Sequence, residues 1–172
     1  MKCPKCKETS LQKKGYGASY SCPSCNGRWV QTEKMRKLSV ECLDEEACPP
    51  GNSSYDHKTG VCPAGHGIML RGKVYGEEEF YLEKCVTCGG IWFDKGEWQQ
   101  VAEANLFQDM QNFWSVSWQR KQRQIKNREA FLSLNKNLLG EELFLSVMEL
   151  AGLLKNHPEK NRALALLQQE IQ

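Results

Sequence analysis

The chain has 172 residues, 40% of them hydrophobic and 26% charged, with a net charge of +2 and nine cysteines. This is the composition of an ordinary globular chain, and no run reaches 18 uninterrupted apolar residues, which excludes a membrane-spanning helix. The first residues, MKCPKC, form no apolar segment of the secretory type, so a cytoplasmic location is expected. Nine cysteines in a reducing compartment point to metal binding rather than to a disulfide framework.

In chain order, the first 40 residues hold nine Lys/Arg against Glu8 and Glu33, a local charge of +7. They also contain Cys3-Pro4-Lys5-Cys6 and, after fifteen residues, Cys22-Pro23-Ser24-Cys25. Two CxxC turns at this separation are the pattern of a four-cysteine zinc ribbon, in which each turn aims two thiolates at one point. Leu11 to Tyr20, with Gly15 and Gly17 near a turn, supplies weak strands between the turns. Residues 1–40 are read as a first, basic ribbon.

Residues 41–61 reverse the charge to −4 and include Cys48-Pro49-Pro50-Gly51-Asn52-Ser53-Ser54, a cluster of breakers that marks a linker. Cys42 shares a helical spacing with Met35 and Leu38, and Cys48 matches no ligand motif, so both stay unassigned. Residues 62–96 repeat the first frame. Cys62-Pro63-Ala64-Gly65-His66 is followed, eighteen residues on, by Cys85-Val86-Thr87-Cys88, with strand candidates at Ile68–Val74 and Phe80–Leu82 around a Tyr75-Gly76 turn. No cysteine stands at Gly65, and His66 is the substitute ligand, since an imidazole reaches further than a thiolate. The offset between the copies is 63 residues: Gly27 and Trp29 recur as Gly90 and Trp92. Each tryptophan is expected to cover the small core of its own ribbon. As separate modules, loss of Cys85 would release one metal and leave the first ribbon loaded.

From residue 97 to 172 the apolar period becomes helical. Trp98, Val101, Leu106, Met110 and Phe113 form one series, Leu143, Val147, Leu150 and Leu154 another, and Leu164, Leu167 and Ile171 a third. Gly140 and Asn156-His157-Pro158 punctuate it, so three or four helices are expected. Asp94-Lys95-Gly96-Glu97 has the spacing of a capping box with Asp94 as the cap. The predicted fold is thus two small zinc-ribbon β modules in tandem followed by an all-α C-terminal region.

The stretch Cys85-Val86-Thr87-Cys88-Gly89-Gly90-Ile91-Trp92-Phe93-Asp94-Lys95-Gly96-Glu97, preceded by Cys62-Pro63, resembles the zinc-finger family named after the transcription factor IIB type of zinc ribbon, whose pattern is CPxC followed by CxxCGGxWxDxGEL. Residues 3–35 look like a diverged copy, with Asn26 for the first Gly and no Asp-x-Gly-Glu ending. The resemblance implies zinc binding and a ribbon fold, and little about activity.

Two zinc ions are therefore expected, one held by Cys3, Cys6, Cys22 and Cys25, the other by Cys62, His66, Cys85 and Cys88. Four protein ligands leave no position for water, which favours a structural metal. The lysines Lys2, Lys5 and Lys7 would partly offset the thiolate charge. With no open metal site, phosphate loop or activated nucleophile legible, a non-enzymatic adapter is expected. One reading is transcription-associated, with weakly sequence-specific nucleic-acid contacts through Lys13, Lys14, Arg28, Arg120, Lys121 and Arg123. The other is a protein-interaction module, with RNA polymerase as one partner or a homodimer through the helices, anchored by its aromatics.

Overall fold

The computed structural model describes residues 1–14, 19–32, 57–76 and 78–171. Cys42, Cys48 and the acidic stretch up to residue 56 lie outside the described residues. Six short strands form one antiparallel sheet: β1 (Gln12–Lys14), β2 (Ser19–Ser21), β3 (Arg28–Val30), β4 (Leu70–Val74), β5 (Phe80–Lys84) and β6 (Ile91–Phe93). Their order is β1-β2-β3-β6-β5-β4. Each copy of the repeat contributes three strands, and the copies meet where β3 pairs with β6, Arg28 opposite Phe93, Trp29 opposite Trp92 and Val30 opposite Ile91. The copies are thus related by a local twofold through the Trp29–Trp92 pair, the equivalent residues 63 apart that stand directly opposed.

The pleat separates two faces. Val30, Ile91, Phe93, Leu82, Phe80 and Val74 point to one face, where they are buried against Val101, Met110 and Phe113. Trp29 and Trp92 point to the other and pack with Cys3, Cys22, Cys62 and Cys85. The expectation that each tryptophan covers its own ribbon is corrected here. A Cβ on Gly90 would fall onto the ring of Trp29, and a Cβ on Gly27 onto the ring of Trp92. Each copy therefore supplies the bare backbone on which the other's indole lies, and this is the physical meaning of the Gly-x-Trp frame. The edge strand β1 exposes Gln12 and Lys13, polar side chains that discourage further strand pairing on that edge.

After the sheet come α1 (Glu97–Glu103), a 3-10 turn (Leu106–Asp109), α2 (Met110–Phe113), α3 (Val116–Leu139), α4 (Glu141–Leu154) and α5 (Lys160–Ile171). Five helices are present among the described residues, because the first apolar series is broken at Asn105 and Ser115 into short pieces wrapped on the sheet. Half of the expected capping box forms. Glu97 accepts a hydrogen bond from the Asp94 amide at 2.7 Å, but the N-cap position is Gly96 and no side chain caps the helix. The Asp94 carboxylate instead accepts from the Trp92 indole at 2.8 Å. An aromatic cluster of Trp98, Phe107, Trp114 and Trp118 closes this core. Gly140 separates α3 from α4, and the His157 Nδ1 accepts from the Glu159 amide at 3.1 Å ahead of α5.

The chain divides into a unit of residues 1–123 and a unit of residues 124–172. Among the described residues, the buried side chains all belong to the first, and α4 and α5 bury none. Among the described residues no helix is long and apolar enough to cross a membrane.

Candidate metal centre

Each copy presents two knuckles, and their backbone explains how the ligands converge. In the second knuckles the Cys22 amide donates to Gly27 O at 2.9 Å and the Cys85 amide to Gly90 O at 2.8 Å, while Asn26 and Gly89 donate back to Cys22 O and Cys85 O at 2.9 Å. Asn26 and Gly89 sit at φ of 57° and 70°, a conformation that Asn tolerates better than most residues, so its substitution for the first Gly is conservative in backbone terms. In the first knuckle of the second copy one additional residue is absorbed by Gly65 and Gly67, at φ of 86° and 91° on either side of His66.

The ligand atoms of Cys3, Cys6, Cys22 and Cys25 all lie within 4.8 Å of one another, as do those of Cys62, His66, Cys85 and Cys88. A tetrahedral ion with metal–sulfur bonds of about 2.3 Å requires sulfur–sulfur edges of about 3.8 Å. The edges Cys3–Cys25 and Cys6–Cys22 measure 3.6 and 3.9 Å. The Cys62–Cys88 edge is 3.8 Å, and His66 Nδ1 stands 3.6 Å from Cys62 Sγ and 3.7 Å from Cys85 Sγ, close to the about 3.6 Å of a mixed nitrogen–sulfur edge. Both groups fit a metal ion, and Nδ1 is the histidine atom turned inward. The Cys6 amide points at Cys3 Sγ at 3.3 Å and the Cys88 amide at Cys85 Sγ at 3.5 Å, the contacts that stabilise bound thiolate.

The electrostatics are prepared for thiolate. The hydrogen bond from Cys25, aided by knuckle amides, lowers the Cys3 thiol to about 5, while the same bond and burial push Cys25 far up. Burial acts to raise Cys85, but amides of Cys88 and Thr87 and the neighbouring thiols outweigh it and bring the group to about 6. Burial, with thiolate neighbours, raises Cys88 to about 11. Such tightly coupled thiols share protons, and metal binding displaces those that remain.

One feature was not legible in the sequence. Of the lysines near the first knuckle, Lys2 makes only an exposed pair with Glu8 at 3.7 Å, whereas Lys5 is 3% exposed. Its ammonium lies 3.1 Å from Glu83, 3.4 Å from Asp94 and 3.1 Å from the Lys58 carbonyl. Glu83, 1% exposed, also accepts from the Gly60 amide at 3.1 Å, and burial raises its carboxyl despite Lys5. A residue inside the first copy's knuckle is thus clamped by two carboxylates of the second. Glu83 sits opposite Trp92 on the tryptophan face, out of phase with the Phe80 and Leu82 alternation, so nothing in the local pattern marked it as buried.

The residues singled out for nucleic-acid contact are not gathered on one sheet face. Lys13 pairs with Tyr20 on the tryptophan face, while Arg28 points to the helix side, where its guanidinium lies 5.5 Å from the Trp98 ring centroid. Arg120, Lys121 and Arg123 are exposed on α3. Lys14 ends β1. No family model matches this chain, and neither a curated protein nor a solved structure does.

Proposed function

We propose that this chain is a zinc-stabilised, non-enzymatic adapter. The observation behind this reading is that each ligand group supplies four protein atoms at tetrahedral spacing, which leaves no coordination position for substrate or water. Zinc suits thiolate and imidazole donors in this geometry. Once bound it would supply folding free energy, of order 10–16 kcal/mol per site, to a sheet of three- and five-residue strands. The residues around it hold the two copies together through the reciprocal tryptophans and the Lys5 clamp.

The binding surface of the adapter is assigned to the helices. Exposed Arg120, Lys121 and Arg123 support contact with a nucleic-acid backbone at low sequence specificity. Fluorescence anisotropy with labelled single- and double-stranded DNA and RNA, titrated at several salt concentrations on protein of measured metal content, tests this. A log–log salt slope of several is expected, and no binding at low salt removes the nucleic-acid reading. The second reading, a protein-interaction module, is favoured by one observation: among the described residues, α4 carries eight large apolar side chains and fully buries none of them.

A further inference from the structure

The two copies of the repeat meet through parts that each of them carries. Gly27 and Trp29 in the first and Gly90 and Trp92 in the second form the same Gly-x-Trp frame on the same kind of strand, and each frame receives the other's indole. Pairing Trp29 with its counterpart in a second chain, or Trp92 with its counterpart, keeps the antiparallel geometry and offers each indole an equivalent bare glycine. Backbone and tryptophans therefore recognise a copy of the repeat without telling the first from the second.

The symmetry breaks where the charges are. Counted from the aligned cysteines, Lys5 of the first copy corresponds to Ala64 of the second, whereas Glu83 and Asp94 of the second correspond to Tyr20 and Gln31 of the first. These unmatched residues meet at the junction. The Lys5 ammonium, 3% exposed, lies 3.1 Å from Glu83 and 3.4 Å from Asp94, and it donates to the Lys58 carbonyl at 3.1 Å. The cation comes from one copy, and its acceptors come from the other or from the residues just ahead of it. Pairing of two first copies would set Lys5 against Tyr20 and Gln31. Pairing of two second copies would set Glu83 and Asp94 against Ala64. There Glu83 keeps Arg71 of its own copy at 3.9 Å and Asp94 keeps its bond from Trp92, but both lose Lys5. A buried charge deprived of its partner is strongly unfavourable, and like-with-like pairing deprives the lysine and both carboxylates of every chain involved.

We infer that Lys5, Glu83 and Asp94 select the partner of each copy, directing a first copy onto a second and discriminating against like-with-like pairing between chains. The interlocked tryptophans supply affinity common to all pairings, and the charges supply specificity by penalising the wrong ones. Tethering also favours the pair within one chain, but only as an effective concentration of about 1 mM. The charge set discriminates at any concentration.

Charge exchange in the full metal-loaded chain tests the inference. Lys5→Glu places a further anion beside Glu83 and Asp94, and Glu83→Lys/Asp94→Asn leaves Lys5 facing a cation. Each variant alone should lose metal affinity by at least tenfold in chelator competition, because metal binding and pairing of the copies are one equilibrium. In an equimolar mixture the first copy of each chain matches the second copy of the other. Relief of tenfold at each junction, a hundredfold together, moves pairing between chains from about 1 mM to about 10 µM. Sedimentation equilibrium of the mixture at about 100 µM should therefore show twice the 19.7 kDa chain mass, with metal affinity within a few-fold of wild type, and neither variant should do so alone. The single chain carrying Lys5→Glu/Glu83→Lys/Asp94→Asn should be monomeric with its affinity restored. Wild-type affinity in either unmixed variant overturns the inference, since charge then has no part in pairing. Recovery in the single chain without recovery in the mixture overturns selection between chains and leaves Lys5 a stabiliser of its own chain. Recovery in neither means that the junction reads shape rather than charge, and overturns the inference as well.

Discussion

Replacing Trp29 by Ala should weaken metal binding at the site that Trp29 does not belong to. Trp29 is 1% exposed, and its ring lies on Gly90, two residues beyond the second site's Cys88. Removing a buried tryptophan costs about 3–5 kcal/mol. Because metal binding and folding are one equilibrium in a sheet this small, that cost appears as lost metal affinity. At about 1.4 kcal/mol per factor of ten, the two sites together should lose a factor of about 10² to 10³ or more. The Cys62, His66, Cys85 and Cys88 site, in contact with the missing ring, should lose at least tenfold. Cobalt substitution with chelator competition reads this directly, since a four-cysteine site and a three-cysteine, one-histidine site absorb differently. Trp98→Ala, on the opposite face, should lower the affinity of both sites alike without singling out the second. If Trp29→Ala weakens only its own copy's site, the copies fold independently and the interlock reasoning fails. The same coupling replaces the expectation of separate loading: Cys85→Ser should reduce metal at both sites, not at one.

Further outcomes concern charge and pH. Lys5→Met leaves the buried Asp94 without Lys5 and Glu83 with Arg71 at 3.9 Å, and should destabilise the metal-loaded protein by about 3–5 kcal/mol in denaturant titration, with partial recovery on adding Glu83→Gln. Acidification should release metal and unfold the sheet in one transition. Thiols held below their ordinary value of 9.0 stabilise the thiolate fully above that value, and the benefit is lost as pH falls through about 6 at Cys85 and about 5 at Cys3. Two release steps separated by more than two pH units would contradict the coupling. Arg120→Ala/Lys121→Ala/Arg123→Ala should lower the salt slope of nucleic-acid binding by about three, whereas Arg28→Ala should leave it unchanged and lower stability through the lost stacking on Trp98.

The sequence by itself determined what short-range spacing can encode. A CxxC turn places two thiolates within one loop whatever surrounds it, so Cys3, Cys6, Cys22, Cys25, Cys62, Cys85 and Cys88 were readable as ligands, and His66 followed from the gap at Gly65. The β4–β5 hairpin and the helical periods were readable for the same reason. Tertiary structure alone decided how the two copies meet. Nothing local to Trp29 says that its ring lies on Gly90 rather than on its own ribbon, because that contact depends on β3 pairing with β6 across 63 residues. The same meeting of the copies converts Lys5 from one of several surface-type lysines into a buried clamp on Glu83 and Asp94. Residues whose roles follow from neighbours in sequence are legible from spacing, whereas a residue shared between two copies takes its role from a surface that exists only after both have folded.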